Sequence, residues 1–363
     1  MQKLDILALG GDGIGPEVLE AGLAVAETVA GRNDLQLNVQ HDLLHGAAWD
    51  QHGTFLHDET LARAKSADAV LVGAVGGPQW DDIRVDGGPE MQDGLMRLRH
   101  ALDSFAGLRP ARFWAPLAER TPFRPGVAED ADIMVLREMC GGVMFAQPRG
   151  QTLRDGVRYG YDTAAYDDRE VSRIMRAGFE LARQRSGRIV SADKANVMES
   201  YKLWRQVADE VAGEFPDMAL THMYADNCAY QMARDPAAFD VIVGCNLIGD
   251  FLSDLAAVVS GSLGMLPSAC LCDVPVVGAR IKGIYEPVHG SAPDIAGQGI
   301  ANPFGMILSV AMMFRYTVGR PDLQSQIEQA VERVLSAGIG TPDIGGTHAT
   351  QDVADAVIRE LAP

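Results

Sequence analysis

The chain has 363 residues, of which 47% are hydrophobic and 22% charged, a composition typical of soluble globular proteins. This length exceeds what one hydrophobic core usually fills, so two domains are predicted. The formal net charge of −18 disfavours binding to nucleic acid or to an acidic membrane, because both are negatively charged.

The cysteines and the N-terminal segment indicate in which cellular compartment the protein is expected. The five cysteines form no CxxC pair and are odd in number, so neither a disulfide framework nor a zinc knuckle is predicted. The start, MQKLDILALGGDGIGPE, has no basic segment followed by a long apolar one, and no apolar run is long enough for a membrane helix. We therefore predict a cytoplasmic protein with reduced thiols and no membrane association.

Strand-like and helix-like segments alternate along the chain. The first segment, LDILALGGDGIGPEVLEAGLAVAETVA, is typical of a strand, a glycine turn and a helix that has Pro16 in its first turn. Further strands are predicted within 67–78, 133–138, 187–194 and 239–244, and amphipathic helices within 168–185 and 201–215. This alternation predicts an α/β protein with a largely parallel sheet. The polar segment 148–163, PRGQTLRDGVRYGYDT, predicts a hairpin or a protruding arm instead.

The glycine-rich turn GDGIGPE (11–17) lies between a predicted strand and a predicted helix. Such a position suits a phosphate-binding loop. An ordinary tight turn is an equally good interpretation, and the full GxGxxG spacing of a Rossmann fold is missing.

Several basic residues are candidates for binding an acidic substrate. Arg97, Arg99 and Arg109 lie in LMRLRHALDSFAGLRP, and Arg137 ends the strand VLRE. Taken singly, each is best interpreted as solvated or paired with a local carboxylate. Three guanidiniums that converge would suit a substrate with two carboxylates, because arginine binds carboxylates through two hydrogen bonds.

Two other polar residues have simple structural explanations. Lys194 follows an apolar strand in SADKANVMES, and a lone lysine there favours a surface position. Asp226 precedes a helical stretch in YADNCAYQM, where the pattern alone favours a helix N-cap.

The segment GCNLIGDFLSD (244–254) places two aspartates four residues apart among apolar and small residues. If a helix runs over 246–257, Asp250 and Asp254 lie on one face, one turn apart. A divalent cation would relieve their repulsion, and oxygen ligands favour Mg²⁺ or Mn²⁺. Salt bridges to other chain segments are an equally good explanation.

The segment IYEPVHGSAPDIAGQGIANP (284–303) is rich in glycine, proline and alanine and contains His289, Asp294 and Asn302. Loops of this kind bind ligands when a rigid scaffold positions them. A carboxylate there can bind the ribose hydroxyls of NAD and would repel the 2′-phosphate of NADP. A solvated loop is about equally compatible with the pattern.

Together these motifs identify a family. The chain resembles the isocitrate/isopropylmalate dehydrogenases nearly end to end, and within them the group that oxidises 3-isopropylmalate. The resemblance rests on the following segments: GDGIGPEV, VGAVGGPQW, LRHALDSFAGLRP, REMCGG, SADKANVME, YADNCAYQM, NLIGDFLSDLAA, SGSLGMLPSA and YEPVHGSAPDIAGQGIANP.

The resemblance implies a two-domain α/β fold that is not a Rossmann fold, with the active site in a cleft between the domains. A cofactor-binding domain would comprise 1–104 and 261–363. A substrate-binding and dimerisation domain would comprise 105–260, with the arm near 148–163.

The resemblance also implies residue roles. The malate part of the substrate would be bound by Arg99, Arg109 and Arg137, and its alkyl group would lie near Leu95, Met96 and Met144. A Mg²⁺ or Mn²⁺ ion would be bound by Asp250, Asp254 and, from the other subunit of a homodimer, Asp226. Lys194 of that other subunit would act as base, with Asp226 beside it. NAD would be bound by Glu286, His289, Gly290, Asp294, Ile295 and Asn302. NAD is favoured over NADP because Asp294 and Ile295 stand where NADP-using relatives have lysine and tyrosine.

Two departures from the family pattern leave the substrate open. Met144 occupies the position of the tyrosine that protonates the product, and a thioether has no proton to donate. The usual Glu before Gly-Leu-Leu is replaced by Gln92 and Asp93 ahead of Gly94, while Leu95 and Met96 keep an apolar pair that suits an alkyl group. The serine of the isocitrate enzymes is absent near this point, which disfavours isocitrate.

Three functions are therefore compatible with the sequence. The first is an NAD- and metal-dependent oxidative decarboxylation of a 3-alkylmalate, as in leucine biosynthesis. The second is a diverged β-hydroxyacid dehydrogenase that acts on another 3-substituted malate. The third is an inactive paralogue, which is disfavoured because every metal and arginine position of the motif is filled.

Overall fold

The structure is a computed structural model that describes residues 2–361. Its strands are β1 (Gln2–Gly11), β2 (Leu35–Asp42), β3 (Ala69–Ala74), β4 (Ala106–Arg112), β5 (Asp132–Glu138), β6 (Gly150–Arg154), β7 (Val157–Tyr161), β8 (Arg188–Asp193), β9 (Ala219–Tyr224), β10 (Val241–Gly244), β11 (Pro267–Leu271) and β12 (Gly283–Pro287). Its helices are α1 (Gly15–Arg32), α2 (Gly46–His52), α3 (Asp58–Ser66), α4 (Pro89–Gln92), α5 (Gly94–Ala101), α6 (Asp168–Arg183), α7 (Glu199–Ala212), α8 (Ala225–Arg234), α9 (Asn246–Ala257), α10 (Phe304–Tyr316), α11 (Pro321–Ser336) and α12 (Thr350–Glu360).

The main sheet has ten strands in the order β2-β1-β3-β12-β11-β4-β5-β10-β8-β9. All neighbours are parallel except at the middle, where β11 pairs antiparallel with both β12 and β4, and β4 pairs antiparallel with β5. The predicted α/β class with a largely parallel sheet is confirmed. The sheet therefore consists of two parallel halves that are joined by the antiparallel strands β11 and β4.

The joint between the halves coincides with the predicted domain division. One half takes its strands from 1–104 and 261–363, and the other takes them from 105–260. Because hydrogen bonds run through the joint, the sheet alone does not separate the two parts, and the division stays a prediction.

Local sequence signals account for the ends of several elements. Pro16 lies in the first turn of α1, as predicted. Helix α6 begins with a capping box in which the Asp167 side chain accepts from the Glu170 N–H while the Glu170 carboxylate accepts from the Asp167 N–H. Its apolar face, including Ile174 and Phe179, is fully buried. These local signals therefore account for where α1 and α6 begin.

The segment 148–163 forms the predicted hairpin from β6 and β7. Its apolar side chains point away from the core, since Leu153 is 68% exposed and Val157 is 67% exposed. Among the described residues, none of the helices is long and apolar enough to cross a membrane.

Candidate active site

Helix α9 brings two predicted arginines and two predicted aspartates together. The thiol of Cys245 caps the helix, and Asp250 and Asp254 follow on successive turns. Arg109 Nη1 lies 3.0 Å from Asp250 Oδ1 and 3.8 Å from Asp254 Oδ1. Arg137 Nη1 also pairs with Asp250 Oδ1. Within one chain, the salt-bridge interpretation of these aspartates is therefore observed.

Both guanidiniums are fixed by further hydrogen bonds. Arg109 Nη1 donates to Ser253 Oγ over 2.7 Å, and Arg137 Nε and Nη2 donate to Asn246 Oδ1 over 3.0 and 2.8 Å. Burial and the neighbouring Arg109 charge lower the pKa of Arg137 to about 10, so it stays charged at neutral pH. The result is a buried, pre-arranged cationic pair, which suits recognition of carboxylates.

The negative charge of Asp254 is less well neutralised by arginine than that of Asp250. Partial burial, together with the Asp250 charge, raises the pKa of Asp254 even though Arg109 lies nearby. Its side chain is 59% exposed and faces the open side of the cluster. An additional cation would stabilise its charged form, so the donor chemistry fits a divalent metal ion as well.

Met144 lies beside the same cluster. A short 3₁₀ turn over Gly142–Met144 follows β5 and brings Met144 Sδ within 3.5 Å of Arg137 Nη2. By contrast, Tyr159 and Tyr161 lie on the hairpin, where their rings stack on each other 5.9 Å apart. Met144 thus contacts the cluster through its thioether.

The sequence did not single out three side chains that shape this site. Asn246 accepts from Arg137 and its Nδ2 donates to the Gly141 carbonyl over 3.2 Å. Tyr166 Oη accepts the Asn246 N–H over 2.9 Å and packs against Gly142, where an added Cβ would lie 2.1 Å from that oxygen. Ser253 holds Arg109. No local pattern identified these three residues, because each contacts a segment far away in the sequence.

Arg99 is paired differently from the other two arginines. It forms a buried ion pair with Glu286 on β12, and Cys270 Sγ lies 3.8 Å from the Glu286 carboxylate. Burial alone would lower the pKa of Arg99, but the Glu286 carboxylate raises it. Its positive charge still contributes to lowering the pKa of Arg137. A predicted substrate residue and a predicted cofactor residue therefore neutralise each other here.

The segment after β12 carries the other predicted cofactor residues. His289 Nδ1 donates to the Gly290 carbonyl over 2.9 Å, and its buried Nε2 has no partner among the described residues. Burial lowers the pKa of His289, which favours the neutral ring. Asn302 Nδ2 donates to Asp343 Oδ2 over 2.9 Å.

Asp294 and Ile295 lie farther along the same segment. Asp294 is exposed and Ile295 is half-buried. Both are accessible from solvent, as a cofactor contact requires.

The glycine turn after β1 is held by an aspartate rather than left open. Asp12 is buried, and its carboxylate accepts from His45 Nδ1 over 2.9 Å and from the Gly76 N–H over 2.8 Å. Gly13 has a φ of +57°, and a Cβ there would lie 2.0 Å from the Ser291 carbonyl oxygen. These contacts favour the tight-turn interpretation, in which the turn supports the loop after β12.

Lys194 and Asp226 form a pair of their own. Lys194 Nζ, just after β8, lies 2.7 Å from Asp226 Oδ2 at the start of α8. This hydrogen bond lowers the pKa of Asp226. The N-cap interpretation of Asp226 is wrong, because α8 begins at Ala225 with Tyr224 as its N-cap and Asp226 lies inside the first turn.

Within residues 2–361, no group of three or more His, Cys, Asp and Glu side chains is arranged to hold a metal ion. Asp226 therefore does not complete a set with Asp250 and Asp254 inside one chain. The predicted three-aspartate site would need two subunits.

Helix α5 positions the predicted specificity residues. The Asp93 carboxylate caps this helix by accepting the N–H groups of Leu95 and Met96 over 2.8 and 3.1 Å. Leu95 is 7% exposed and packs in the main core, whereas Met96 is half-buried. Of the two, Met96 is therefore the more accessible to a ligand.

Comparison with known proteins identifies relatives over the whole length. A family model described as isocitrate/isopropylmalate dehydrogenase matches residues 5–357. A protein of Xanthomonas euvesicatoria pv. vesicatoria named 3-isopropylmalate dehydrogenase is 51% identical over 98% of this chain and 99% of its own. A protein of Pseudomonas fluorescens with the same name is 49% identical over 98% of both chains.

Solved structures agree with this assignment. Isocitrate dehydrogenase from Methylococcus capsulatus superposes with a TM-score of 0.85 at 31% identity, covering 99% of both chains. A β-decarboxylating dehydrogenase from Thermococcus kodakarensis gives a TM-score of 0.77 at 32% identity, covering 99% of this chain and 96% of its own. The predicted fold is thereby confirmed. The chain belongs to the isocitrate/isopropylmalate dehydrogenase family and is a decarboxylating dehydrogenase that acts on a CH–OH group.

Proposed function

We propose that this enzyme oxidises and decarboxylates 3-isopropylmalate, or a close 3-alkylmalate, in leucine biosynthesis, with NAD and Mg²⁺ or Mn²⁺. The observation that carries the proposal is the buried Arg109 and Arg137 pair beside Asp250 and Asp254, in a chain about half identical to proteins named for that substrate.

The arginine pair accounts for binding of a malate. Asp250 now serves as the shared counter-ion of Arg109 and Arg137. The carboxylates of a dicarboxylic substrate can replace it as partners of these guanidiniums, since arginine binds such groups through paired hydrogen bonds. Arg99 would bind a substrate carboxylate if that carboxylate replaced Glu286 as its partner. Met96 and Met144 would pack against the alkyl group.

Binding of that substrate would free the Asp250 carboxylate. Asp250 and Asp254 of one subunit, with Asp226 of the partner subunit, then supply the oxygen ligands that Mg²⁺ or Mn²⁺ prefers. When bound, such an ion polarises the C2 oxygen of the substrate. Lys194 of the partner subunit, starting in its uncharged form, would take the hydroxyl proton, and the Asp226 beside it would then pair with the ammonium group that results.

The residues present also fit NAD. His289 Nε2 is a buried polar atom without a partner among the described residues, and Asp294 is an exposed carboxylate on the same loop. Gly290, Ile295 and Asn302 lie on the same segment and would contact the cofactor with them. NAD, when bound, would accept the hydride from C2.

Cofactor choice offers a direct test of Asp294. We expect NAD to be preferred over NADP, because the 2′-phosphate would face this carboxylate. Changing Asp294 to Lys together with Ile295 to Tyr should shift the ratio of kcat/KM toward NADP. Faster turnover of the wild type with NADP would refute the ribose role of Asp294.

A homodimer is supported by apolar side chains that one chain leaves in solvent. Tyr230 on α8 is 60% exposed and Phe251 on α9 is 67% exposed. On the hairpin, Leu153 and Val157 are exposed to a similar degree. Large apolar patches on folded proteins commonly mark protein interfaces. Pairing through α8 and α9 would bring Asp226 of one subunit toward Asp250 of the other.

A second candidate is favoured by Met144 alone. Loss of the C3 carboxylate as CO₂ leaves an enolate that must gain a proton at C3, and this thioether cannot supply it. A β-hydroxyacid dehydrogenase of the same family that acts on another 3-substituted malate and releases the keto acid without decarboxylation would not need the tyrosine. An inactive paralogue is less favoured, because the arginine and carboxylate cluster is intact.

The deciding experiment is an assay of NADH formation with a panel of malates that carry different C3 substituents, with CO₂ measured in parallel. We expect the highest kcat/KM with 3-isopropylmalate and equal amounts of NADH and CO₂. NADH without CO₂, or a clear preference for a different substituent, would favour the second candidate. Absence of NADH with every malate would support the inactive paralogue.

A further inference from the structure

A cavity of about 200 Å³ lies on the face of the sheet opposite the candidate active site. Along β4, Arg109 points to the active site, whereas Pro110 and Arg112 line the cavity. Along β5, Arg137 likewise points to the active site, whereas Met134 lines the cavity. Successive side chains of a strand point to opposite faces, so the two sites are separated by the sheet.

The cavity has an apolar floor and a polar mouth. Met134, Leu181, Leu308 and Met312 supply apolar surface. Helices α10 and α11 close one side, and β4, β5 and the end of α6 close the other. Its walls therefore come from both predicted domains, at the joint between the two halves of the sheet. An apolar cavity of about 150 Å³ can hold benzene, so this cavity suits a ligand of roughly eight non-hydrogen atoms.

One of the arginines that line the cavity, Arg315, has no acidic partner among the described residues. Of its three arginines, Arg185 pairs with Asp132 at 3.0 Å and Arg112 pairs with Glu332 at 3.2 Å. The third, Arg315, is half-buried and donates to the amide oxygens of Gln184 at 2.8 Å and Gln324 at 3.4 Å. No carboxylate of the described residues forms an ion pair with it.

A carboxylate near Arg315 does not pair with it. Glu328 also lines the cavity, but its carboxylate accepts from Gln324 Nε2 over 2.7 Å and lies 4.0 Å from Arg112 Nη1, so its contacts are with residues other than Arg315. A half-buried guanidinium whose hydrogen-bond partners are neutral amides, and which otherwise lies over the Tyr316 ring, is stabilised by an anion.

We propose that this cavity is a second ligand site, which takes a small monocarboxylate with an apolar tail. Arg315 binds the carboxylate, and the apolar floor receives the tail. A single carboxylate suffices, because Arg112 and Arg185 already have acidic partners. The site is separate from the substrate cleft and is independent of the proposed reaction.

The test uses hexanoate as the probe and its neutral analogue hexanamide as the control ligand, with binding to the whole enzyme measured by titration calorimetry. Arg315→Gln removes the charge but keeps a polar side chain. Ser325→Trp fills the cavity mouth from an exposed position on α11. Arg333→Gln is the matched control, because Arg333 is an exposed arginine of α11 that does not line the cavity.

We expect hexanoate to bind the wild type and Arg333→Gln with the same affinity. Hexanamide should bind the wild type at least roughly tenfold more weakly than hexanoate does. Arg315→Gln should weaken hexanoate binding roughly ten- to a hundredfold, and Ser325→Trp should abolish it. Equal binding by wild type, Arg315→Gln and Ser325→Trp would overturn the proposal. Loss of binding in Arg137→Gln, with both cavity variants unaffected, would assign the probe to the cleft and overturn it as well. No detectable binding of hexanoate to the wild type would also overturn it.

Discussion

Met144 is the residue at which this site departs most from its family. Its Sδ contacts Arg137, so in the proposed reaction the side chain would lie beside the bound substrate. General acid catalysis typically contributes about 10²–10⁴-fold to its step. We expect Met144→Tyr to raise turnover of 3-isopropylmalate, with keto acid and CO₂ measured separately.

Met144→Leu is the control for this change, because leucine has a similar volume and no proton to donate; it should leave turnover near that of the wild type. A lower turnover in Met144→Tyr would favour a different substrate that packs against the thioether. If the wild type already releases NADH and CO₂ equally at about 1–10³ s⁻¹ and the tyrosine adds nothing, the donor lies elsewhere. Tyr159 and Tyr161 would then be changed first.

Glu138, next to Arg137, should make stability depend on pH. It is fully buried, and burial raises its pKa to about 7, although the N–H groups of Cys140 and Gly141 donate to it. Between pH of about 4.5 and 7 the folded state holds this proton and the unfolded state does not, so stability falls as pH rises. The loss is on the order of 3 kcal/mol.

Urea unfolding of the wild type and Glu138→Gln at pH 5 and pH 7.5 measures this effect. Glutamine cannot ionise, so the variant should lose much less stability over that interval than the wild type does. Glu27→Gln, an exposed position on α1, should keep the wild-type pH dependence. The same pH dependence in all three proteins would show that Glu138 is ionised throughout.

At the scale of elements, local sequence patterns predicted helices and strands, whereas they did not predict which distant segments pair with each other. The condition that a helix runs over 246–257 is met, since α9 spans Asn246–Ala257. The strands and amphipathic helices were likewise found where hydrophobic periodicity placed them. The pairing of Arg99 with Glu286 joins residues 187 positions apart, and no local pattern encodes it. Spacing alone also could not decide between a metal and salt bridges for Asp250, because the choice depends on which arginines β4 and β5 bring to the helix.

Asp254 on α9 is a better position than Asp250 for testing the proposed metal site. Asp250 also neutralises two arginines, so its removal would disturb them, whereas Asp254 lies 3.8 Å from Arg109 and is largely exposed. We expect Asp254→Asn to reduce kcat at least about 10²-fold and to keep the fold. With substrate present, Mg²⁺ or Mn²⁺ should raise the melting temperature of the wild type but not that of Asp254→Asn.

Asp355→Asn, on the exposed face of α12, controls for the loss of one negative charge and should respond to the ion as the wild type does. Equal stabilisation of all three proteins by the ion would remove Asp254 from the metal site.

At the scale of the whole molecule, one chain holds the proposed catalytic groups in two separate places. Lys194 and Asp226 pair with each other at the ends of β8 and α8. Asp250 and Asp254 face the arginines of β4 and β5. Within residues 2–361 no three carboxylates are arranged to hold a metal ion, so the proposed three-aspartate site would need a second subunit. The exposed Tyr230 and Phe251 lie on the two helices that would meet.

Mixing two inactive variants tests this sharing. In a heterodimer of Lys194→Ala and Asp254→Asn chains, one site combines the intact Asp254 of the first chain with the intact Lys194 of the second. After unfolding and refolding an equal mixture, we expect about one quarter of the wild-type activity, since half of the dimers are mixed and each has one intact site. Lys194→Ala mixed with Asp226→Asn is the control, because these residues act from the same subunit and no mixed site is intact. No recovery in the first mixture would show that each chain completes its own site. Recovery in the control would show instead that Lys194 and Asp226 act from different subunits.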